Sequence, residues 1–318
     1  MSVTRERIQG ETAAAAVCIS RDDTSYPANL REIPLPPEPL WVRGRMEADD
    51  TLAIAIVGAR EATPYGVGCA ERLAEDLAAR GITIISGLAR GIDSAAHRGA
   101  LRAGGRTIAV LGSGVDVIYP PENRRLALQV AEGGAVVSQF PLGTPPLAGY
   151  FPARNRVIAG LSLGVVVVEA AEKSGSLITA GLAGELGREV MAVPGPLTSL
   201  MSRGAHRLIQ DGAALVQGWE DVVAQLPLRF RDQVKPLAVP ANAGSPDRLA
   251  HGQGQADHRE AGNDESLLLL RVIGQEPVGI DQIIERSGLA PGRASAFLMT
   301  LEIEGRIRQL EGKRFVAA

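Results

Sequence analysis

Lysine is nearly missing from this chain. Of its 318 residues, 33 are basic, and lysine occurs only at Lys173, Lys235 and Lys313, so arginine supplies the other 30. Asp and Glu number 36, giving a formal net charge of −3. That balance excludes a uniformly basic coat for nucleic acid but leaves room for a local basic groove. Cysteine is scarce as well: Cys18 and Cys69 share no metal-ligand spacing and are too few for a disulfide framework. No run of 18 apolar residues occurs, so no membrane span is expected. The short apolar run at 13–19 follows an acidic, polar start and does not read as a secretory signal. A reducing cytoplasm is the expected compartment. There is no P-loop, no GxSxG elbow, no HExxH or HxxEH, and no CxxC.

What is present is an ordinary globular composition, 45% hydrophobic and 22% charged, with glycine raised to 37 residues. The length suits two domains. Residues 1–50 read as a proline-rich N-terminal arm too small for a core of its own. From 51 to 226, short apolar runs at 52–57, 82–85, 107–111, 135–137, 165–168 and 190–193 alternate with amphipathic segments such as 68–79 and 93–102. Near-continuous apolar runs predict strands buried on both faces, and the alternation predicts right-handed crossovers. The expected fold is α/β, an extended Rossmann-like doubly wound parallel sheet. Residues 227–262, rich in Pro, Gly, Ala and Gln, read as a flexible linker holding His251 and His258. Residues 263–318 carry helical signals at 265–273, 281–287 and 294–304, then a hairpin through 306–316, the pattern of a C-terminal winged-helix domain.

In a doubly wound sheet ligands bind beyond the carboxyl ends of the strands, so the chemistry is sought in those loops. The first, 58–66, lacks GxGxxG spacing but places Arg60 and Thr63 beside a helix start, an arrangement suited to an anion. The second, 86–93, carries Arg90, with Asp93 placed to cap the next helix and His97 one turn inside it. His97 reads either as a base or nucleic-acid contact, or as a packed helix residue bonded to the loop, the last being favoured because no nucleophile accompanies it. The third holds Gly112 and Gly114, which serve an anion or a tight turn equally. The fourth crossover joins Phe151 to Arg154, Asn155 and Arg156, a surface for stacking and anions, or for surface ion pairs. In the fifth, Lys173 precedes Ser174, Gly175 and Ser176 at a helix start, where dipole, amides and ammonium converge on a phosphate, with Ser176 alternatively a plain N-cap. Several anion loops on one sheet edge, without a nucleophile and base, suit a polyanion better than a single nucleotide.

Six stretches resemble the DNA processing protein A family (DprA/Smf): GAREATPYG at 58–66, SGLARGIDSAAH at 86–97, TIAVLGSGVDVIYPPEN at 107–123, FPARNRVIAGLS at 151–162, EAAEKSGSLITA at 169–180 and AVPGPL at 192–197. The resemblance runs from about Tyr26 to about 225, and the last segment is similar to that family's winged-helix domain. It implies a cytoplasmic, homodimeric single-stranded DNA binder that loads RecA during natural transformation, displacing or bypassing single-strand-binding protein, with no enzymatic activity, cofactor or metal. Carried over by motif, the DNA site comprises Arg60, Arg90, Phe151, Arg154, Asn155, Arg156, Lys173, Ser174, Gly175 and Ser176.

Departures exist. Many members carry a helical N-terminal domain of sterile-alpha-motif or helix-hairpin-helix type, and only 25 residues precede Tyr26, so none is expected. Gln139 stands where Glu is usual and His206 where Asn is usual. The expected recognition helix, 294–304, carries Glu302 and Glu304, which argues against base readout in the major groove. The wing residues Arg306, Arg308, Lys313 and Arg314 suit phosphate contacts, while a protein-contact role is slightly favoured. Two rival functions belong to other classes. One is a nucleotide phosphoribohydrolase of the lysine-decarboxylase-like group, whose PGGxGTxxE motif is replaced here by SGSLITAGLAGE. The other is a pure protein-interaction scaffold.

Overall fold

Nine short segments pair into one sheet: β1 (Val17–Ile19), β2 (Leu40–Gly44), β3 (Ala53–Val57), β4 (Thr83–Ser86), β5 (Thr107–Val110), β6 (Ala135–Ser138), β7 (Gly164–Val167), β8 (Glu189–Ala192) and β9 (Ala214–Leu215). The computed structural model describes residues 16–236, 273, 278–287, 298, 301–302, 306–310 and 314–317. The strand order is β1-β2-β6-β5-β4-β3-β7-β8-β9. From β6 through β9 every pairing is parallel, as the buried apolar runs require.

The chain first builds outward from β3 through β4, β5 and β6, then returns to place β7 on the other side of β3. That reversal makes β3 and β7 the topological switch point, where loops diverge and leave a crevice. Strand β3 alternates its side chains between two cores. Ala53, Ala55 and Val57 pack on one face with Val157, Ile158 and Leu161 of α5 (Tyr150–Leu161) and Ala180 and Ala183 of α6 (Gly175–Glu185). Ile54 and Ile56 pack on the other with Leu73 and Leu77 of α2 (Pro64–Ala78) and Ala95 and Ala96 of α3 (Ile92–Arg102). Helix α4 (Arg124–Gly133) covers the β5–β6 end through Leu126 and Val130. Each helix removes an apolar stripe from water on a face the strands already make apolar.

Two boundaries differ from expectation. The N-terminal arm is not a separate appendage from residue 16 onward. Strand β2 pairs antiparallel with β6, β1 pairs with β2, and Tyr26, Leu30, Leu40 and Val42 are buried in the main core. Asn29 in the short helix between them, α1 (Ala28–Arg31), donates to the carbonyls of Thr51 and Leu161 at 2.9 and 3.0 Å. An arm too small for its own core borrows this one. The expected linker also starts late: α7 (Arg203–Gln210) and α8 (Trp219–Gln225) are followed by α9 (Leu228–Arg231), where Phe230 is buried and Lys235 donates to Arg80 O at 2.9 Å. The remainder of that segment, including His251 and His258, lies outside the described residues.

The chain divides into two compact units, residues 1–241 and 242–318. Within the second, β10 (Val278–Gly279) leads into α10 (Ile280–Ser287), and β12 (Arg314–Ala317) pairs antiparallel with both β10 and β11 (Ile307–Leu310). Ile273, Val278, Ile283, Leu298, Leu301, Ile307 and Phe315 form its core. The expected helices at 265–273 and 294–304 fall largely outside the described residues. Among the described residues no helix is long and apolar enough to cross a membrane.

Candidate functional site

A groove of about 600 Å³ opens at the switch point, lined by the turn after β3, the start of α5 and the turn from β7 into α6. Thr63 and Pro64 start α2 by a familiar device: Thr63 Oγ1 accepts from Gly66 N at 3.2 Å, and proline occupies the first helical position. This leaves residues 58–62 as a tight connector with Arg60 exposed over the groove, its guanidinium 5.2 Å from the centre of the Phe151 ring. Across the groove Ser174 caps α6, its Oγ accepting from Ser176 N at 3.3 Å and lying 2.7 Å from Ser176 Oγ. The N-cap is therefore Ser174 and not Ser176. Lys173, exposed just ahead of it, adds a full positive charge to the helix dipole.

Arg154 enters from below. It is 6% exposed, 3.8 Å from the Asp93 carboxylate and 5.8 Å from the Phe151 ring centre. Gly87 makes room for it, since a Cβ there would fall 1.6 Å from Nη1. Burial lowers the Arg154 guanidinium below its usual range, Asp93 opposes that shift, and Arg60 adds to it. Asp93 is displaced upward by burial, against Arg154 and the amides it binds. Asp93 does not cap α3 as expected. Gly91, with φ 69°, occupies the cap position, and the Asp93 carboxylate instead accepts from Gly87 N and Ala89 N at 3.2 and 3.3 Å, tying down the turn that carries Arg90.

His97 is fully buried, and its partner is Thr107 Oγ1 on β5 at 2.7 Å rather than the loop. Because Thr107 donates to Ile84 O at 2.7 Å, it accepts from His97, which fixes a neutral ring protonated at Nδ1. Burial, aided by Arg154 and Arg98, pushes its pKa down to about 3. It is a core residue and does not reach the groove. Gly112 and Gly114 are explained by packing: a Cβ on Gly112 would touch Phe151 at 3.0 Å, and Gly114 N already donates to Thr144 O at 2.9 Å.

Of the ten expected site residues, eight line the groove: Arg60, Phe151, Arg154, Asn155, Lys173, Ser174, Gly175 and Ser176. Asn155, buried, donates to Gly175 O at 3.4 Å and so braces the start of α6. Arg90 is not in the groove. It borders a small adjoining hollow with Arg60, Tyr119, Pro120, Phe151 and Arg154, and it is ion-paired with Glu122. Arg156 is not there either: its Nη2 donates to Pro34 O at 2.6 Å, away from the site. Positions 154 and 156 are two apart on a helix and point to nearly opposite sides.

Two contributors escaped the sequence reading. Tyr119 sets its ring 6.1 Å from that of Phe151, and Glu169, 2% exposed, lies between the two anion loops. The signal for Glu169 was a carboxylate at the carboxyl end of an apolar parallel strand. Among the described residues no group of His, Cys, Asp and Glu could hold a metal ion.

Comparison with known proteins places the fold in a family. Residues 17–227 match the family model described as DNA recombination-mediator protein A, and residues 254–313 match the DprA winged helix domain. The chain is 42% identical to protein Smf of Escherichia coli over 298 residues, covering 92% of this chain and 75% of that one. It is 45% identical over 203 residues to the DNA processing protein DprA of Streptococcus pneumoniae, covering 64% and 72%. The solved structure of that pneumococcal protein superposes with a TM-score of 0.64 at 44% identity, over 66% of this chain and 74% of that one. DNA processing protein A of Helicobacter pylori, solved for its single-stranded DNA binding mode, superposes at 0.59 with 29% identity, over 66% and 94%.

Proposed function

The chain belongs to the DNA processing protein A (DprA/Smf) family, and from that premise we propose that it binds single-stranded DNA in the switch-point groove and passes the strand to RecA. One observation carries the reading: Arg60, Lys173 and the capped start of α6 face one groove whose floor holds the Phe151 ring. Cations and a helix N-terminus suit successive phosphates, while an aromatic face accepts any base and so reads no sequence. The binding mode studied in the Helicobacter pylori relative supports the same ligand.

The chain binds without turnover. The two carboxylates lining the groove offer poor chemistry, because Asp93 is engaged by Arg154 and two amides and Glu61 has no paired base among the described residues. Release of free base from a nucleoside monophosphate would instead establish the phosphoribohydrolase alternative. Delivery to RecA, help in clearing single-strand-binding protein, homodimer formation and residence in the cytoplasm rest on family membership.

The test has two arms. Fluorescence anisotropy with oligo-dT is expected to show weaker binding in Arg60→Ala and Lys173→Ala, and full affinity in both rejects the site. The purified protein is expected to speed RecA filament growth on strands coated with single-strand-binding protein, and no acceleration rejects the loading role.

A further inference from the structure

Glu169 stands two residues beyond the end of β7, and both ends of the Arg60 turn are fastened to it. Its backbone carbonyl accepts from Ala59 N at 2.7 Å. Its carboxylate accepts from Thr63 N at 2.8 Å and from Thr63 Oγ1 at 2.6 Å. Arg60 therefore sits between two anchors supplied by one residue. Gly66 packs against the same carboxylate so closely that a Cβ there would fall 2.3 Å from its carboxyl carbon. Glu169 also opens the turn that carries Lys173 and Ser174 on the far side of the groove.

A cap does not need this arrangement. Thr63 Oγ1 alone satisfies Gly66 N, and threonine caps are sufficient for most helices. Burying a carboxylate beside them is costly, and the hydrogen bonds from Thr63 offset that cost. No ion pair to Glu169 exists among the described residues, so neutral donors at the start of α2 hold it. What those bonds do is fix the position of one anion loop relative to the other.

We propose that Glu169 is a positioning residue for nucleic-acid binding, setting the separation between Arg60 and the Lys173–Ser176 phosphate cradle so that one strand is gripped from both sides. The inference rests on the groove being the single-stranded DNA site. Changing the side chain loosens only the Thr63 end, because the Ala59 anchor uses the backbone, and the β3–β7 ladder stays intact.

The experiment uses the full chain and anisotropy with oligo-dT. Glu169→Gln keeps one acceptor oxygen for Thr63 N but replaces the other, which accepts from Thr63 Oγ1, with an amide donor, and Thr63→Val removes the hydroxyl that Thr63→Ser keeps. Both Glu169→Gln and Thr63→Val are expected to weaken binding about tenfold, with Thr63→Ser within about twofold of wild type. In an Arg60→Ala background Glu169→Gln is expected to add less than about twofold, since it acts through Arg60. Additive losses, or full affinity in Glu169→Gln, overturn the proposal. If Glu169→Gln fails to fold, the Thr63 pair measured in both backgrounds decides the same question. A wild type that ignores oligo-dT overturns the function reading itself and this proposal with it, while Arg60→Ala at full affinity overturns this proposal, which acts through Arg60. Normal wild-type binding lost in Arg60→Ala but kept in Glu169→Gln overturns the positioning role alone.

Discussion

Arg154 and Asp93 meet at 3.8 Å with both side chains almost wholly withdrawn from water. Each is costly to bury alone, and each is made tolerable by the other. Asp93→Asn and Arg154→Leu are each expected to lower stability by about 3–5 kcal/mol, because either change strands a buried partner. Urea melts of the two variants and of the double variant check this. Losses that simply add in the double variant would show that the pair is not coupled.

Charge and stacking should separate in the salt dependence. Arg60→Ala and Lys173→Ala are each expected to flatten the slope of log affinity against log salt for oligo-dT by about 0.7, one phosphate contact on a single strand. Phe151→Ala should leave that slope alone and lower affinity by about 1–3 kcal/mol at every salt concentration. Titrations across a salt series distinguish the two, and a changed slope in Phe151→Ala would contradict the stacking role.

Two arginines outside the groove give opposite expectations. Arg156 is engaged by Pro34 O, so Arg156→Ala should bind oligo-dT like wild type. Arg90 is held by Glu122 at the exposed rim. Glu122→Gln frees it and is expected to tighten binding about two- to fivefold at low salt, with the gain fading as salt rises. Unchanged affinity at low salt would mean that Arg90 does not reach the bound strand.

His97 makes a pH prediction with a definite sign. Its native pKa is pushed down to about 3 from the usual 6.5, chiefly by burial. Between those values the unfolded chain binds a proton that the native state refuses. Stability is therefore full above pH 6.5 and is lost as pH falls toward 3, at up to about 1.4 kcal/mol per pH unit. Asp93 is shifted upward, so its own contribution runs the other way, falling as pH rises above its ordinary value of 3.8. Urea melts of wild type and His97→Gln over pH 4–7 isolate the histidine, whose slope should be missing from the variant.

Gly99 is expected to tolerate no side chain. A Cβ there would fall 2.2 Å from Glu71 O, where α2 and α3 cross. Gly99→Ala should cost about 1–3 kcal/mol, although alanine favours helix, and thermal melting measures it. A stabilised variant would mean that the two helices can part without loss.

The parallel strands were legible because β-branched runs such as 165–168 bury both faces, and that pattern is local. The antiparallel edge was not: Leu40–Gly44 gains its place only by pairing with Ala135–Ser138, which no local pattern announces. In the site, loop residues after β3 and β7 could be named because topology alone brings those strand ends together. Arg156 was misplaced because two neighbouring arginines in a motif look equivalent until helical rotation separates them. A carboxylate near a helix start reads as a cap, which is why Asp93 was expected there, while the cap lies two residues earlier at Gly91 with its positive φ.

The antiparallel pairing of β2 with β6 also constrains how the chain is made. Val42 finds Val137 as its partner, so β2 lacks its inner neighbour until β6 has been synthesised. Closing that edge brings together segments far apart in sequence, a slow kind of step. Until then β1 and β2 form an isolated two-stranded ribbon, which is marginal in water. An edge made before its inner neighbour is thus completed late, and a nascent chain stalled before residue 135 would expose it.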